Sequence, residues 1–278
     1  MLILNLGPQT GQATSSQSSK RNALNLNQER RMFGVKLRPE AVKLLEEVER
    51  KYGKRVREES NSNLDTITYA YAAMDMDGTP VIKIRAGVIP TEAIIVHELF
   101  HHKYRFPTIE FVPYPGWATA DNAAYSQFIL AHVYSSIQHW MFFPRMRKMG
   151  LNPDDEIRGE FEELLRQNYF PKIGGVLPDE LRALFYFKAA MNIGDRLMLG
   201  RITRWYQNNA WNQELDTGLR LERTVMKANP KTVDDAIQVF VKCLKFIQRA
   251  NAHFELRGKT VKRIGAYDEP WIIIDVQK

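Results

Sequence analysis

The sequence predicts an α+β fold: a small antiparallel sheet and one key helix in the first half, then a mainly helical second half. Three observations support this. Ala41, Leu44, Leu45, Val48 and Tyr52 recur at helical spacing. Between Arg55 and Ala86, runs of residues alternate apolar and polar with period two, interrupted by the turn signal Asp77-Gly78. From Asp154 to about Arg257 the apolar positions return to helical spacing, before a closing β-type run at Trp271–Val276.

At 278 residues, 44% hydrophobic and 26% charged, the chain has the composition of a soluble globular protein with enough sequence for a sizeable core. Met1-Leu-Ile-Leu-Asn-Leu6 lacks the basic flank and the apolar length of a signal peptide or membrane helix. Cys243 is the only cysteine, so no internal disulfide forms, and a cytoplasmic home is expected with no membrane partner. The net charge of +7 is uneven, with an excess of five positive charges in the first 38 residues and of six between Lys242 and Arg263. Such patches can attract nucleic acid, although solvated faces are the commoner reason for them.

The elements follow in order. Gly7–Ser19 is a Gly/Ser/Thr/Gln tract that cannot bury apolar surface, so residues 1–28 are read as a flexible arm. A helix after Pro39 ends at Gly53. Arg55–Glu58 is a short strand, and Ile67, Tyr69 and Tyr71 alternate with Thr66, Thr68 and Ala70 as in a half-buried strand. Val81–Ala86 alternates Ile82 and Ile84 against Lys83 and Arg85, then leads through Pro90 into a helix with Thr91 as N-cap and Glu92 in its first turn.

That helix carries His97, Glu98 and His101 in the spacing H-E-x-x-H. One helical turn separates the two histidines, so both imidazoles can converge on one metal ion with Glu98 beside them. Ala93, Ile94, Ile95, Val96, Leu99 and Phe100 make the helix apolar on most sides, and a buried His/Glu/His trio is costly unless a metal neutralises it. Zn²⁺ suits two neutral imidazoles, and a water at an open position would meet Glu98 as general base. The neighbouring His102 points to another face and is expected to be exposed or to support the ligands from behind.

Arg105–Trp117, with Pro107, Pro113, Pro115 and Gly116, is read as a loop over the site whose aromatics Phe106, Phe111, Tyr114 and Trp117 either line a pocket or pack on flanking helices. A catalytic zinc takes three protein ligands, so a third is needed. The next helix, about Thr119–Phe143, offers Asp121, His132 and His139, and Glu110 stands in the loop. His132 and His139 are seven residues apart, roughly 10.5 Å along a helix, so they face the same way but cannot both ligate one ion. Tyr125, Tyr134 and Arg145 are candidates to stabilise an oxyanion. The C-terminal half contains helices around Phe161–Leu165, over Leu181–Trp205 as one helix or a broken pair, and over Ala236–Phe254, with His253 as ordinary surface in a basic helical segment.

Over residues 39 to about 150, the H-E-x-x-H motif and the order helix, strands, metal helix resemble the zincin metallopeptidases of the compact gluzincin-like type. The metzincin pattern is absent, because Pro107 stands where that group has its third histidine and Tyr104 where it has glycine. The resemblance implies a zincin-like metal-binding domain over 29–150, followed by a mainly helical region over 151–278. It implies a zinc-dependent hydrolase acting on peptide or protein substrates, with Glu98 as general base and a third ligand from a later helix. The run Ile137–Met146 resembles a helix-ending segment of compact metallopeptidase-like proteins and favours His139 as that ligand, with His132 and Asp121 as alternatives. It further implies that one strand of the sheet borders the cleft and can pair with an extended peptide. Two other functions stay open: a non-catalytic zinc-stabilised interaction protein, and a nucleic-acid-associated basic factor.

Overall fold

The computed structural model describes residues 30–62, 69–112, 120–168, 178–247 and 253–277. The expected N-terminal arm and the Ile67 part of the alternating strand lie outside them. The first described element is a short ribbon of β1 (Arg31–Met32) and β2 (Val35–Lys36), followed by α1 (Pro39–Tyr52). Gly53 ends α1 as expected, taking φ 64° and donating its N–H to the Glu49 carbonyl.

Three strands then form a sheet in the order β3-β5-β4, from β3 (Arg57–Asn61), β4 (Ala70–Met74) and β5 (Pro80–Arg85). β5 runs antiparallel to β4 but parallel to β3, so the sheet is mixed, which corrects the expected antiparallel one. Period-two alternation says which residues share a face but nothing about the partner or its direction. The central place of β5 explains why Val81, Ile82 and Ile84 are all buried. Helix α2 (Glu92–Lys103) then packs against α1, β4 and β5. Thr91 caps it by accepting the Ile94 N–H at 3.3 Å, and Ile95, Val96, Leu99 and Phe100 are buried.

The segment after α2 departs from the expected loop. Thr108–Val112 forms β6, which pairs in parallel with β8 (Tyr267–Gln277), and β8 also pairs antiparallel with β7 (His253–Ile264). Its prolines flank β6 rather than interrupt it, and its partner lies over 150 residues away, beyond what local pattern can reveal. Phe106 is buried and stacks on Tyr134, while Phe111 meets Phe254 edge-on. Tyr114 and Trp117 lie outside the described residues.

Helix α3 (Ala120–Lys148) runs through Pro144, one turn past its expected end. An interior proline costs about 3 kcal/mol, and the buried Phe142, Phe143 and Met146 around it offset that cost. α4 (Asp155–Gln167), α5 (Pro178–Asn192), α6 (Arg196–Asn208), α7 (Asn212–Ala228) and α8 (Val233–Leu244) complete the helical part. The Leu181–Trp205 stretch is therefore a broken pair, with Asp195 starting α6 by accepting the N–H groups of Leu197 and Met198. The helix expected over Ala236–Phe254 ends at Leu244, and His253 opens a strand instead. The period-two register of Phe254 and Leu256 against Glu255 and Arg257 is the signal for β7. Cys243 is buried, and burial pushes its thiol up to about 12, as suits an inert small hydrophobe. Among the described residues, no helix is long and apolar enough to cross a membrane.

One apolar core joins elements from both sides of residue 150. The β7–β8 turn also docks on the β4–β5 turn, where the Ala266 N–H donates to the Met76 carbonyl at 3.1 Å. Gly265 sits there at φ 54°, and a Cβ on it would come within 2.1 Å of the Met76 oxygen. Gly265→Ala is expected to cost about 3 kcal/mol, from left-handed strain and backbone displacement together, measured by chemical denaturation.

Candidate metal centre

The centre is built from α2, α3 and α5. One turn of α2 brings the Nε2 atoms of His97 and His101 to 2.9 Å, and α3 supplies His139, whose Nε2 lies 3.1 Å from each of them. A zinc ion with nitrogens at about 2.0–2.1 Å sets neighbouring ligand atoms roughly 3.4 Å apart on a tetrahedron. The triangle needs only a slight expansion to hold such an ion. Among the described residues, no fourth His, Cys, Asp or Glu joins the group. His139 is buried, while His97 and His101 keep partial exposure.

The residues behind the ligands fix where the protons are. The Gln138 Nε2 donates to the Tyr104 carbonyl at 2.6 Å, which turns its Oε1 toward His101 Nδ1 at 3.0 Å. An amide oxygen only accepts, so His101 carries its proton on Nδ1 and presents a bare Nε2. Asn192 places its Oδ1 at 2.9 Å from His139 Nδ1 as an acceptor for that ring's proton, with its own Nδ2 buried and without a hydrogen-bond partner among the described residues. Two ring lone pairs thus face one another at 3.1 Å with no proton between them, which is repulsive without a cation there. Metal-ligating histidines ordinarily donate their other ring N–H to an oxygen acceptor behind them, and side-chain amide oxygens take that place here.

Aromatic rings close the walls. Phe143 stacks on His139 at 4.5 Å between centroids, and Phe142 meets all three imidazoles edge-on. Burial lowers the pKa of each histidine: His101 falls to about 4, partly opposed by its bond to Gln138, and His97 and His139 fall well below the ordinary value. The three rings therefore stay neutral at pH 7, as metal ligation requires.

His102, expected to be exposed or to support the ligands from behind, is fully buried, and its Nε2 donates to the Val81 carbonyl at 3.0 Å, fastening α2 to β5. Sequence spacing gives the face a side chain takes but not what covers that face. Burial lowers its pKa to about 4 as well. Since these imidazoles titrate near 6.5 when unfolded and lower when folded, the unfolded chain binds more protons between those values. Stability of the metal-free protein is thus complete above about pH 6.5 and is expected to fall as pH drops toward 4, by several kcal/mol in all. Urea midpoints measured across pH 4–8 should show that slope.

Glu98, adjacent to His97, is also buried, at 4% exposure, and its charge helps raise the Tyr134 phenol pKa, with burial the larger cause. The other candidates are elsewhere. His132 meets Phe185 at 5.6 Å, and Glu110 on β6 pairs with Lys262 at 2.5 Å. Tyr134 stacks on Phe106, and Arg145 lies over the Tyr104 ring at 5.4 Å. The side chains of Asp121 and Tyr125 lie outside the described residues. Sequence reasoning missed Gln138 and Asn192, since amide side chains in helices carry no motif. It also missed Ser135, whose hydroxyl lies 3.3 Å from His139 Nε2. No family of known proteins, no characterised protein and no solved structure matches this chain.

Proposed function

We propose that the protein is a zinc-dependent hydrolase of the zincin-like kind, acting as a metallopeptidase. The observation that carries this reading is the convergence of three neutral Nε2 atoms within 2.9–3.1 Å, two of them on a helix whose H-E-x-x-H spacing also carries the buried Glu98. His97, His101 and His139 would hold the ion, with Gln138 and Asn192 orienting two of the rings. A zinc ion bound there supplies Lewis acidity, making a water more acidic and a carbonyl more electrophilic. Glu98 takes the proton from the attacking water and delivers it to the leaving amine. The ring walls of Phe142 and Phe143 keep bulk water from the histidines.

β4 supports a peptide as substrate. It pairs only with β5 among the described strands, and it packs on α2, so its other edge can take main-chain hydrogen bonds from an extended chain. The buried Cys243 agrees with a cytoplasmic location. The test is incubation of zinc-loaded protein with an unfolded polypeptide, counting new amino termini. Chelator-sensitive cleavage supports peptidase activity, and no new termini at any zinc loading would sink it.

A second reading has its own support: the ligands and Asn192 tie α2, α3 and α5 together, as a structural zinc would. It is a zinc-stabilised interaction protein, which differs in requiring nothing of Glu98. In the C-terminal basic stretch, Arg257, Lys259, Lys262 and Arg263 pair with Asp275, Asp234, Glu110 and Asp268, while the basic arm of the nucleic-acid reading lies outside the described residues.

A further inference from the structure

Two helices reach the metal position through the same one-turn spacing. On α2, His97 and His101 stand four residues apart with their Nε2 atoms at 2.9 Å. On α3, Ser135 and His139 stand four residues apart, and the Ser135 Oγ lies 3.3 Å from His139 Nε2. Residues at that spacing share a helix face, so Ser135 holds on α3 the place that His97 holds on α2. A zinc ion sets neighbouring ligand atoms roughly 3.4 Å apart. The Ser135 oxygen therefore stands at ligand spacing from His139.

The partner of that hydroxyl makes its place informative. Asn192 accepts the proton of His139 Nδ1, so His139 Nε2 is bare and Ser135 is the donor between them. Among the described residues, His139 Nε2 is the one hydrogen-bond partner of the Ser135 hydroxyl. An ion on the three histidines takes the lone pair that Ser135 now uses. The hydroxyl of this half-buried side chain then loses its acceptor beside the coordination sphere, which is unfavourable unless another acceptor arrives. An oxygen at the fourth corner restores the bond, and negative charge on that oxygen strengthens it. Among the described residues, no further His, Cys, Asp or Glu competes for the corner.

We infer that Ser135 faces the fourth coordination position and donates a hydrogen bond to the ligand oxygen that fills it. This rests on the zinc-site reading above and specifies it: the open corner lies on the Ser135 side of the centre, and its occupant is an oxygen acceptor. Serine is small enough to leave that corner open, whereas a histidine at the same spacing would close it. Ser135 positions the ligand oxygen and does not itself hold the ion.

The experiment takes acetate as its probe, because a carboxylate oxygen is such an acceptor. Cobalt-loaded wild type, Ser135→Ala, Ser135→Thr and Ser135→His are titrated with it, and visible absorption is followed beside cobalt content. One cobalt per chain shows that a variant keeps the centre. Saturable acetate binding is expected in wild type, weakened roughly tenfold or more in Ser135→Ala, which loses a hydrogen bond to a charged oxygen. Ser135→Thr keeps the hydroxyl and should largely keep the affinity. Ser135→His should hold cobalt more tightly and lose the acetate response, since its ring takes the corner. Acetate binding in Ser135→Ala as tight as in wild type overturns the inference while the metal site stands. So does a cobalt-loaded wild type without an acetate response, or a cobalt-loaded Ser135→His that responds as wild type does. If Ser135→His does not fold, the comparison of Ala with Thr decides alone. A wild type that takes up no cobalt sinks the metal-site reading and this inference with it.

Discussion

Glu98→Gln is expected to keep its full zinc content and to lose roughly 10²–10⁴ in hydrolytic rate, the usual contribution of a general base. Glutamine has nearly the shape of glutamate, so the 4%-exposed side chain repacks without a cavity, and the three imidazoles are untouched. What disappears is the carboxylate next in sequence to His97, the group assigned to accept and return a proton. Rate and metal content must therefore separate in this variant. Single-turnover cleavage of an unfolded polypeptide, with elemental analysis of the same sample, checks it. If both fall together, Glu98 holds the site in shape; if neither changes, the interaction-protein reading gains.

Removing zinc should cost the fold heavily. At free zinc a thousandfold above its dissociation constant, binding to the native state contributes about 4 kcal/mol, which for a chain of this size is roughly 10 °C in melting temperature. The loss falls on the junction of α2, α3 and α5, where two bare nitrogens are left facing each other at 3.1 Å. Calorimetry with excess zinc and with chelator should show the difference for wild type. His139→Ala should melt at one temperature under both conditions.

How much of this could be read from the sequence depends on how local each feature is. α2 was legible to its N-cap because Thr91, the apolar residues after it and H-E-x-x-H all lie within 13 residues. The choice between His132 and His139 was not legible from periodicity, since both share a face of α3. What separates them is α5, which sets Asn192 behind one and Phe185 against the other. β6 was hidden for the same reason, because its strand character depends on β8 far along the chain. Where the prolines of Arg105–Trp117 suggested a loop, pairing with Trp271–Asp275 decided otherwise. His102 shows the limit of helical geometry: its face was correctly separated from that of His101, yet β5 covers that face and buries it.

The most direct test of the three-histidine centre is zinc content by elemental analysis of purified wild type, His97→Ala, His139→Ala and His132→Ala after equilibration with added zinc. One zinc per chain is expected in wild type and in His132→Ala, and none in His97→Ala or His139→Ala. A wild type that takes up no zinc, or a His139→Ala variant that retains it, would contradict the centre described.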